Sequence, residues 1–423
     1  MSTATAPGAL AGLLPESRVL TGDAASQWAG DREVEAVLFP ADTDEVQTLI
    51  RAANETGTGL LPAGAGSWPG AGGWTRSGGV IVSTARLDSV FHYEPADLTL
   101  TAGAGLGWRK LAALLEPNGQ WLPMDGPGAG EGTLGGAVAC GVPGPLRARY
   151  GAPRDNVLGL EVVTGEGRLL RIGGRVVKNV AGYDLVRLFT GSRGSLGVIT
   201  RVSVRLFPRP GADVTMVFEG GVGEMLEVAR GVRASALPVA AAEMTVRRAG
   251  AAGGESQLAV RVLGGREEAD EVCTRLAAGI GAAPGTTLRG GESEVFHRRR
   301  TAWEGRSPLV VRLAALPGRL AAVMGWAREV AARTGGRLAA DVLGGVVRVK
   351  GSPADDGTAG LAGKLVSVRR EVEAVGGTMT LSRAPREVAA RVGWTGVGGG
   401  GGPLARKLKS LFDPCRVLRS RCP

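Results

Sequence analysis

The chain has 423 residues, of which 70 are Gly and 23 are Pro; 44% are hydrophobic and the formal net charge is +10. There is no Gly-X-Y period, which excludes a collagen-like chain, and apolar runs recur throughout, which excludes a disordered one. The glycines therefore belong to the loops and turns of a folded protein. At about 100–200 residues per domain, two or three domains are expected. No uncharged apolar run reaches the roughly 18 residues of a membrane span, so no transmembrane segment is expected. The first residues, MSTATAPGALAGLLPES, lack a basic region before their short apolar stretch, so no secretory signal is expected. Cys140, Cys273, Cys415 and Cys422 form neither a disulfide framework nor a CxxC metal pair. Only six of the 50 basic residues are Lys. The Arg are scattered apart from the run His297–Arg300, with no aromatic platform between them. No nucleic-acid partner is expected, while an acidic partner or anionic lipid heads suit the charge.

In chain order, residues 1–30 read as a small, polar, flexible segment. Val34–Pro40 reads as a strand, and Thr43–Thr56 as a helix with Asp44 and Glu45 in its first turn. Leu60–Leu61 leads into a glycine loop, Pro62–Ser67. Val80–Ser83 and Leu98–Ala102 read as strands, and Trp108–Leu115 as a helix stopped by Pro117-Asn118-Gly119. Residues 120–157 are dominated by turn formers, and a loop of that length inside a domain is usually functional. Val157–Thr164 and Leu169–Ile172 read as a hairpin. Gly197–Leu206 is an apolar strand closed by Pro208 and Pro210, which mark a domain boundary. Beyond it, strands and helices recur in two β-α-β-β-α sets, from Val214 to Ala278 and from Leu309 to Leu381, the ferredoxin-like pattern. Gly398–Gly402 reads as a flexible loop, and Leu404–Phe412 as a basic amphipathic helix. The expected division is 1–30, 31–210, 211–400 and 401–423.

Three glycine loops stand beside strand-like or apolar segments: Pro62–Ser67, Gly126–Gly136 and Gly191–Gly197. A residue without Cβ lets backbone N–H groups converge on an anion. One such loop is as well explained by a turn; three together suggest a long ligand with a diphosphate. Gly103-Ala-Gly105-Leu-Gly107 is GxGxG rather than GxGxxG, and no acidic residue opens a following strand, so a nicotinamide Rossmann domain is not expected. Gly191–Gly197 lacks the Lys-Ser/Thr pair of a P-loop.

Pro62-Ala-Gly-Ala-Gly-Ser67, Pro123-Met-Asp125, Gly132-Thr-Leu-Gly-Gly136, Tyr150-Gly-Ala-Pro-Arg-Asp155, Gly174–Leu185 (GRVVKNVAGYDL) and Gly191–Ile199 occur in that order. This series resembles the PCMH-type FAD-binding domain of the vanillyl-alcohol-oxidase-like flavoproteins. Gly174–Leu185 and the tail LKSLFDPCRVL are most similar to the E-type, FAD-binding subunits of the glycolate oxidase group. The resemblance implies an α+β fold: a two-part FAD domain, a ferredoxin-like α+β cap and a C-terminal helix returning to the FAD domain. It implies a cofactor site made of Pro62, Ala63, Gly64, Ala65, Gly66, Ser67 and Trp68 at the diphosphate. Pro123 and Asp125 belong to the same set. Thr133, Leu134, Gly135 and Gly136 would run along the other side, Tyr150, Gly151 and Asp155 toward the flavin, and Gly197, Val198 and Ile199 by the adenine.

Covalent relatives attach flavin through a His or Cys near the first loop. Here that loop ends Gly66-Ser67-Trp68, and Cys140 sits among small residues, so non-covalent FAD is expected. Catalytic relatives carry clustered His in the cap, as base and metal ligands; oxidation of a 2-hydroxy acid needs a group to take the hydroxyl proton. This cap has only His297, and His92 lies elsewhere, so no metal site is expected and no catalytic residue is assigned. The resemblance then implies an accessory FAD subunit in the oxidation of glycolate to glyoxylate, with glycolate or a related 2-hydroxy acid as the small-molecule partner. Its partners would be a His-containing catalytic FAD subunit and an iron–sulfur subunit, in the cytoplasm or at the inner face of the membrane. The alternatives are a stand-alone FAD oxidase of another hydroxy acid or alcohol, and a scaffold subunit with weak FAD binding. Arg298-Arg299-Arg300 reads as a solvated or partner-facing patch, or as a holder of a substrate carboxylate.

Overall fold

A computed structural model describes residues 6–29, 34–67, 79–125, 130–174, 183–246, 256–301, 307–353, 357–394 and 402–420. Trp68, residues 126–129, most of the segment 174–185, residues 398–401 and Cys422 lie outside them. The chain divides into two compact units. The first comprises Met1–Pro143, Ala152–Arg209 and Gly401–Pro423; the second comprises Gly144–Gly151 and Pro210–Gly400.

Among the described residues the first unit holds two larger sheets and the two-stranded pair Gln120–Trp121 with Phe207–Pro208. A four-stranded sheet runs in the order Val19–Thr21, Ala36–Leu38, Val80–Ser83, Leu60–Ala63; its first pair is antiparallel and the others are parallel. The helix Thr43–Thr56 makes the crossover. Asp42 starts it by accepting from Glu45 N at 2.8 Å, and Gly57, with φ +67°, ends it. Val46, Leu49, Ile50 and Ala53 fall at helical spacing and are buried against that sheet. The second sheet is antiparallel, ordered Val90–Glu94, Thr99–Gly103, Gly197–Arg205, Val157–Thr164, Leu169–Gly173. Its core is closed by the helices Trp108–Leu115 and Leu134–Cys140 through Leu111, Leu115, Leu134 and Val138.

Two expectations need correction here. The N-terminal segment is not loose between residues 6 and 29. Val19–Thr21 is an edge strand, and Leu10, Leu14, Ala25 and Ala29 are buried. The small residues misled because Ala and Leu at helical spacing are enough to dock a short helix. The turn-rich stretch 120–157 also contains helix. Leu134–Cys140 forms one because Thr133 caps it, accepting from Gly136 N at 3.1 Å, and Gly141 (φ +61°) ends it.

The tail returns to the first unit. Asp413 is fully buried and accepts from Val417 N at 2.9 Å, Leu418 N at 3.0 Å and Lys409 Nζ at 2.5 Å. Lys409 also donates to the carbonyls of Ser195 and Leu418, at 2.6 and 2.8 Å. Leu418 bridges in parallel to Leu60, so the tail lies beside the strand Leu60–Ala63.

The second unit is one antiparallel eight-stranded sheet ordered Thr286–Arg289, Ala212–Gly220, Ser256–Gly264, Ala241–Val246, Arg337–Asp341, Val346–Gly351, Leu309–Ala314, Thr378–Arg383. It is two ferredoxin-like halves joined through Ala241–Val246 and Arg337–Asp341. Alternation within each strand gives the sheet two unlike faces. Val214, Met216, Met244, Val260, Val311, Leu338 and Val347 enter a common core with the helices Val222–Ala234, Arg266–Ile280, Leu320–Arg333 and Gly357–Ala374. Tyr150 and Gly151, expected in the FAD domain, fall in this unit.

Lys409→Met leaves the Asp413 carboxylate buried without its cation. The expected loss is roughly 3–5 kcal/mol of the first unit's stability, read as a lower denaturation midpoint.

Candidate functional site

A cavity in the first unit is lined by the ends of several elements. Trp28 and Ala29 come from the helix Gly22–Trp28 and its C-cap, Leu61–Ser67 from the first glycine loop and its strand, and Ile81 and Thr84 from the neighbouring strand and turn. Trp108, Gly132, Thr133, Gly135–Ala137, Ala139 and Cys140 form another wall, and Arg193, Gly194 and Gly197–Ile199 the last. Its enclosed volume of about 120 Å³ is below the roughly 300–1,000 Å³ of a whole-ligand pocket. It therefore suits one segment of a long ligand.

The first loop has fixed carbonyls and three N–H groups without a described acceptor. Ser83 Oγ and Thr84 Oγ1 donate to the carbonyls of Gly64 and Ala63, at 2.8 and 3.2 Å, and hold those oxygens. The backbone N–H groups of Ala65, Gly66 and Ser67 donate to no described residue. Gly66 has φ +71°, a conformation that turns successive N–H groups toward one point. Trp28 covers this glycine, with ring atoms from 3.1 Å of where a Cβ would stand.

The second loop differs. Leu134 N donates to Leu106 O at 2.9 Å, Gly135 N to Ala104 O at 2.8 Å, Gly136 N to Thr133 Oγ1 and Ala137 N to Thr133 O. The first turn of this helix has no N–H left for a ligand, so Thr133, Gly135 and Gly136 offer shape rather than donors. Their glycines answer to packing. A Cβ on Gly64 would stand 2.4 Å from Thr133 Oγ1, one on Gly135 2.4 Å from Ala104 Cβ, and one on Gly197 2.5 Å from Val162 Cγ1.

Of the residues singled out by sequence, Pro62–Ser67, Thr133, Gly135, Gly136 and Gly197–Ile199 line this one cavity. Leu134 is buried in the core. Pro123 and Asp125 do not line the cavity, and Trp68 lies outside the described residues. Asp155 caps its own short helix, accepting from Ala152 N at 2.9 Å. Tyr150, in the second unit, has a phenol raised by burial. Sequence reasoning missed Trp28, Trp108, Cys140 as a wall residue and Arg193. The signal for Arg193 was its charge inside an otherwise small-residue loop. Burial raises the Cys140 thiol to about 11, so it stays protonated and is a poor nucleophile.

In the second unit the titratable groups serve one another. His297 is 4% exposed. Its Nε2 lies 2.9 Å from Thr215 Oγ1, which lies 2.6 Å from Ser293 Oγ. Ser293 Oγ donates to Asp213 at 2.6 Å, and Arg261 clamps Asp213 at 3.0 and 2.5 Å. Burial, then Arg261 and Arg300, push the His297 imidazole down to about 2, so it is neutral. Arg300 departs from the expected solvated patch. Its guanidinium donates to Glu243 O at 2.8 Å and Gln257 Oε1 at 3.0 Å, whereas Arg298 and Arg299 are exposed.

Residues 34–173 match the family described as the FAD binding domain. The glycolate oxidase subunit GlcE of Escherichia coli (strain K12) is 47% identical over 142 residues, covering 33% of this chain and 41% of that protein. Subunit GlcD of Bacillus subtilis (strain 168) is 33% identical over 183 residues, covering 43% and 39%. The chain thus spans about two fifths of the length of these curated relatives. The structure of 4-ethylphenol oxidase from Gulosibacter chungangensis, in its isoeugenol complex, aligns with a TM-score of 0.72 at 16% identity. That alignment covers 98% of this chain and 96% of the other, and shows a shared fold. Residues 34–173 thus carry an FAD-binding domain, with FAD as its cofactor, and the α+β fold is the expected one.

Two outcomes follow. Gly64→Ala forces the first loop off Thr133; the expected cost is about 1–3 kcal/mol of stability and a loss of FAD affinity, read by flavin fluorescence titration. Asp341 is buried, and burial raises its carboxyl to about 6, against hydrogen bonds from Gly344 N and Leu343 N. A raised carboxyl favours the fold while protonated. That contribution is present below the ordinary carboxylate range and is lost as pH rises through about 6. Asp341→Asn keeps the accepting oxygen, so it should match the wild type near pH 4. Above pH 7 it should exceed the wild type by about 2–3 kcal/mol in denaturant titrations.

Proposed function

We propose that this chain is the accessory FAD-binding subunit of a complex that oxidises glycolate, or a related 2-hydroxy acid, to the oxo acid. The observation that carries the reading is the cavity of the first unit, where a loop whose Ala65, Gly66 and Ser67 N–H groups donate to no described residue meets largely apolar walls. Ala65, Gly66 and Ser67 would hold the diphosphate of FAD. Thr133 and Gly136 would close its flank, and Trp28, Trp108, Ile81 and Val198 would keep water from it. FAD, when bound, supplies a two-electron acceptor that passes electrons onward.

The 47% identity to GlcE over 142 residues supports the choice of complex. The position of His297 supports an accessory role: a neutral imidazole, buried and bonded to Thr215, is not placed to take a proton from a substrate. Proton removal then belongs to a His-containing catalytic FAD subunit, and onward transfer to an iron–sulfur subunit. No described helix is long and apolar enough to cross a membrane. We place the complex in the cytoplasm or at the membrane's inner face through its partners. FAD is held without a covalent bond, because Cys140 is the one thiol among the described wall residues and it stays protonated.

The test is purification of the full chain alone and with co-expressed neighbours. A yellow protein that releases FAD on acid precipitation, is inert to glycolate with a dye acceptor, and turns over when joined by its partners would support the reading. Glycolate turnover by the chain alone would overturn the accessory role. A colourless chain that cannot be loaded with FAD would leave a scaffold.

A further inference from the structure

Arg193 is an anomaly of charge. Arg193 is half-buried, and other guanidinium groups at that depth or deeper are matched: Arg261 by Asp213, and Arg348 and Arg300 by Glu243. Arg383 donates to Ser307 O. Arg193 makes no ion pair and no hydrogen bond through its side chain with any described residue, although burial holds its guanidinium below the usual range. Partly desolvating a charge without a partner is unfavourable, so cations withdrawn from water are ordinarily paired.

The backbone around it is fixed at some expense. Arg193 has φ +55°, a left-handed conformation unfavourable for a residue with a Cβ. Its N–H is tied to Ala139 O at 2.8 Å. On one side Gly191 packs against Gly141; on the other Gly194, with φ +75°, lies so close to Pro62 that a Cβ would stand 2.8 Å from the Pro62 ring. The residue is thus pinned between the end of the helix Leu134–Cys140 and the start of the anion-receptive loop. It lines the same cavity as Ala65, Gly66 and Ser67.

We infer that Arg193 is the counter-cation of the cofactor's diphosphate, completing from the opposite loop the site that the N–H groups of Ala65–Ser67 begin. This rests on the reading of the cavity as the FAD site. A planar guanidinium suits two phosphate oxygens at once, and ligand entry would supply the partner that the folded chain lacks.

The experiment uses the full chain stripped of flavin, titrated with FAD and, by competition, with ADP and adenosine, at low and high salt. Arg193→Gln should weaken FAD and ADP alike by roughly 10–100-fold, leave adenosine unchanged and flatten the salt dependence. Arg193→Lys should fall between. Without ligand, the Gln variant should melt no lower than the wild type, since it removes an unmatched charge. Wild-type affinity for FAD and ADP in Arg193→Gln would overturn the inference while leaving the FAD site standing. Loss confined to FAD, with ADP unaffected, would also overturn it, because the contact would then lie at the flavin ring. A wild-type chain that binds neither FAD nor ADP would remove the cofactor reading and the inference with it.

Discussion

The cavity depends on one buried carboxylate. Asp413 gathers Val417 N, Leu418 N and Lys409 Nζ, and Lys409 in turn reaches Ser195 O. Through Leu418 the tail is bonded to Leu60, at the head of the strand that ends in Pro62–Ser67. Through Ser195 it is bonded to the loop that carries Arg193. The two loops that line the cavity are thus set against each other by a group that does not itself line it. Gly165 shows how closely the tail is seated, because a Cβ there would stand 2.4 Å from Asp413 Oδ1.

Much of this was legible in the sequence, and the exceptions have physical causes. The helix Thr43–Thr56 announced itself by its acidic first turn and its spacing of Val46, Leu49 and Ile50. The two ferredoxin-like halves announced themselves by strands and helices of ordinary length. The helix Leu134–Cys140 did not, because Gly135, Gly136 and three small residues carry no amphipathic signal; a cap at Thr133 and close packing on Ala104 decide it. Tyr150 and Asp155 belong to one motif in sequence but to different units in space, which no spacing rule reveals. Trp28 was invisible as a site residue because it comes from a segment whose composition suggested nothing fixed.

The glycine excess divides on the same physical ground. Gly64, Gly135, Gly194 and Gly197 stand where any side chain would strike a neighbour. Their role is to let loops and strands approach one another, and the ligand surface is a result of that approach. Gly223, Gly279, Gly325 and Gly363 meet nothing within 4 Å, although they sit in helices where Gly is less favourable than Ala. In the second unit, chemistry-capable groups are likewise drawn into structure. His297, Thr215, Ser293 and Asp213 form a chain of hydrogen bonds that resembles catalytic machinery in composition, yet its members are occupied with one another.

The discontinuity of the first unit has a consequence for biosynthesis. Chains emerge from the ribosome at about 5–20 residues per second, and domains tend to fold as they appear. The second unit is complete once Gly400 has been made, its segment Gly144–Gly151 having come earlier, and can collapse while the tail is still being made. The first cannot seat Leu60 against Leu418, or Ser195 against Lys409, until residue 418 is free. Both walls of the cavity must therefore wait, incomplete, for the whole of that intervening stretch of chain. Completion of the cavity becomes a late event in the life of the nascent polypeptide, and a translation product cut short before Asp413 would leave the ribosome without the clasp that holds these two loops in register.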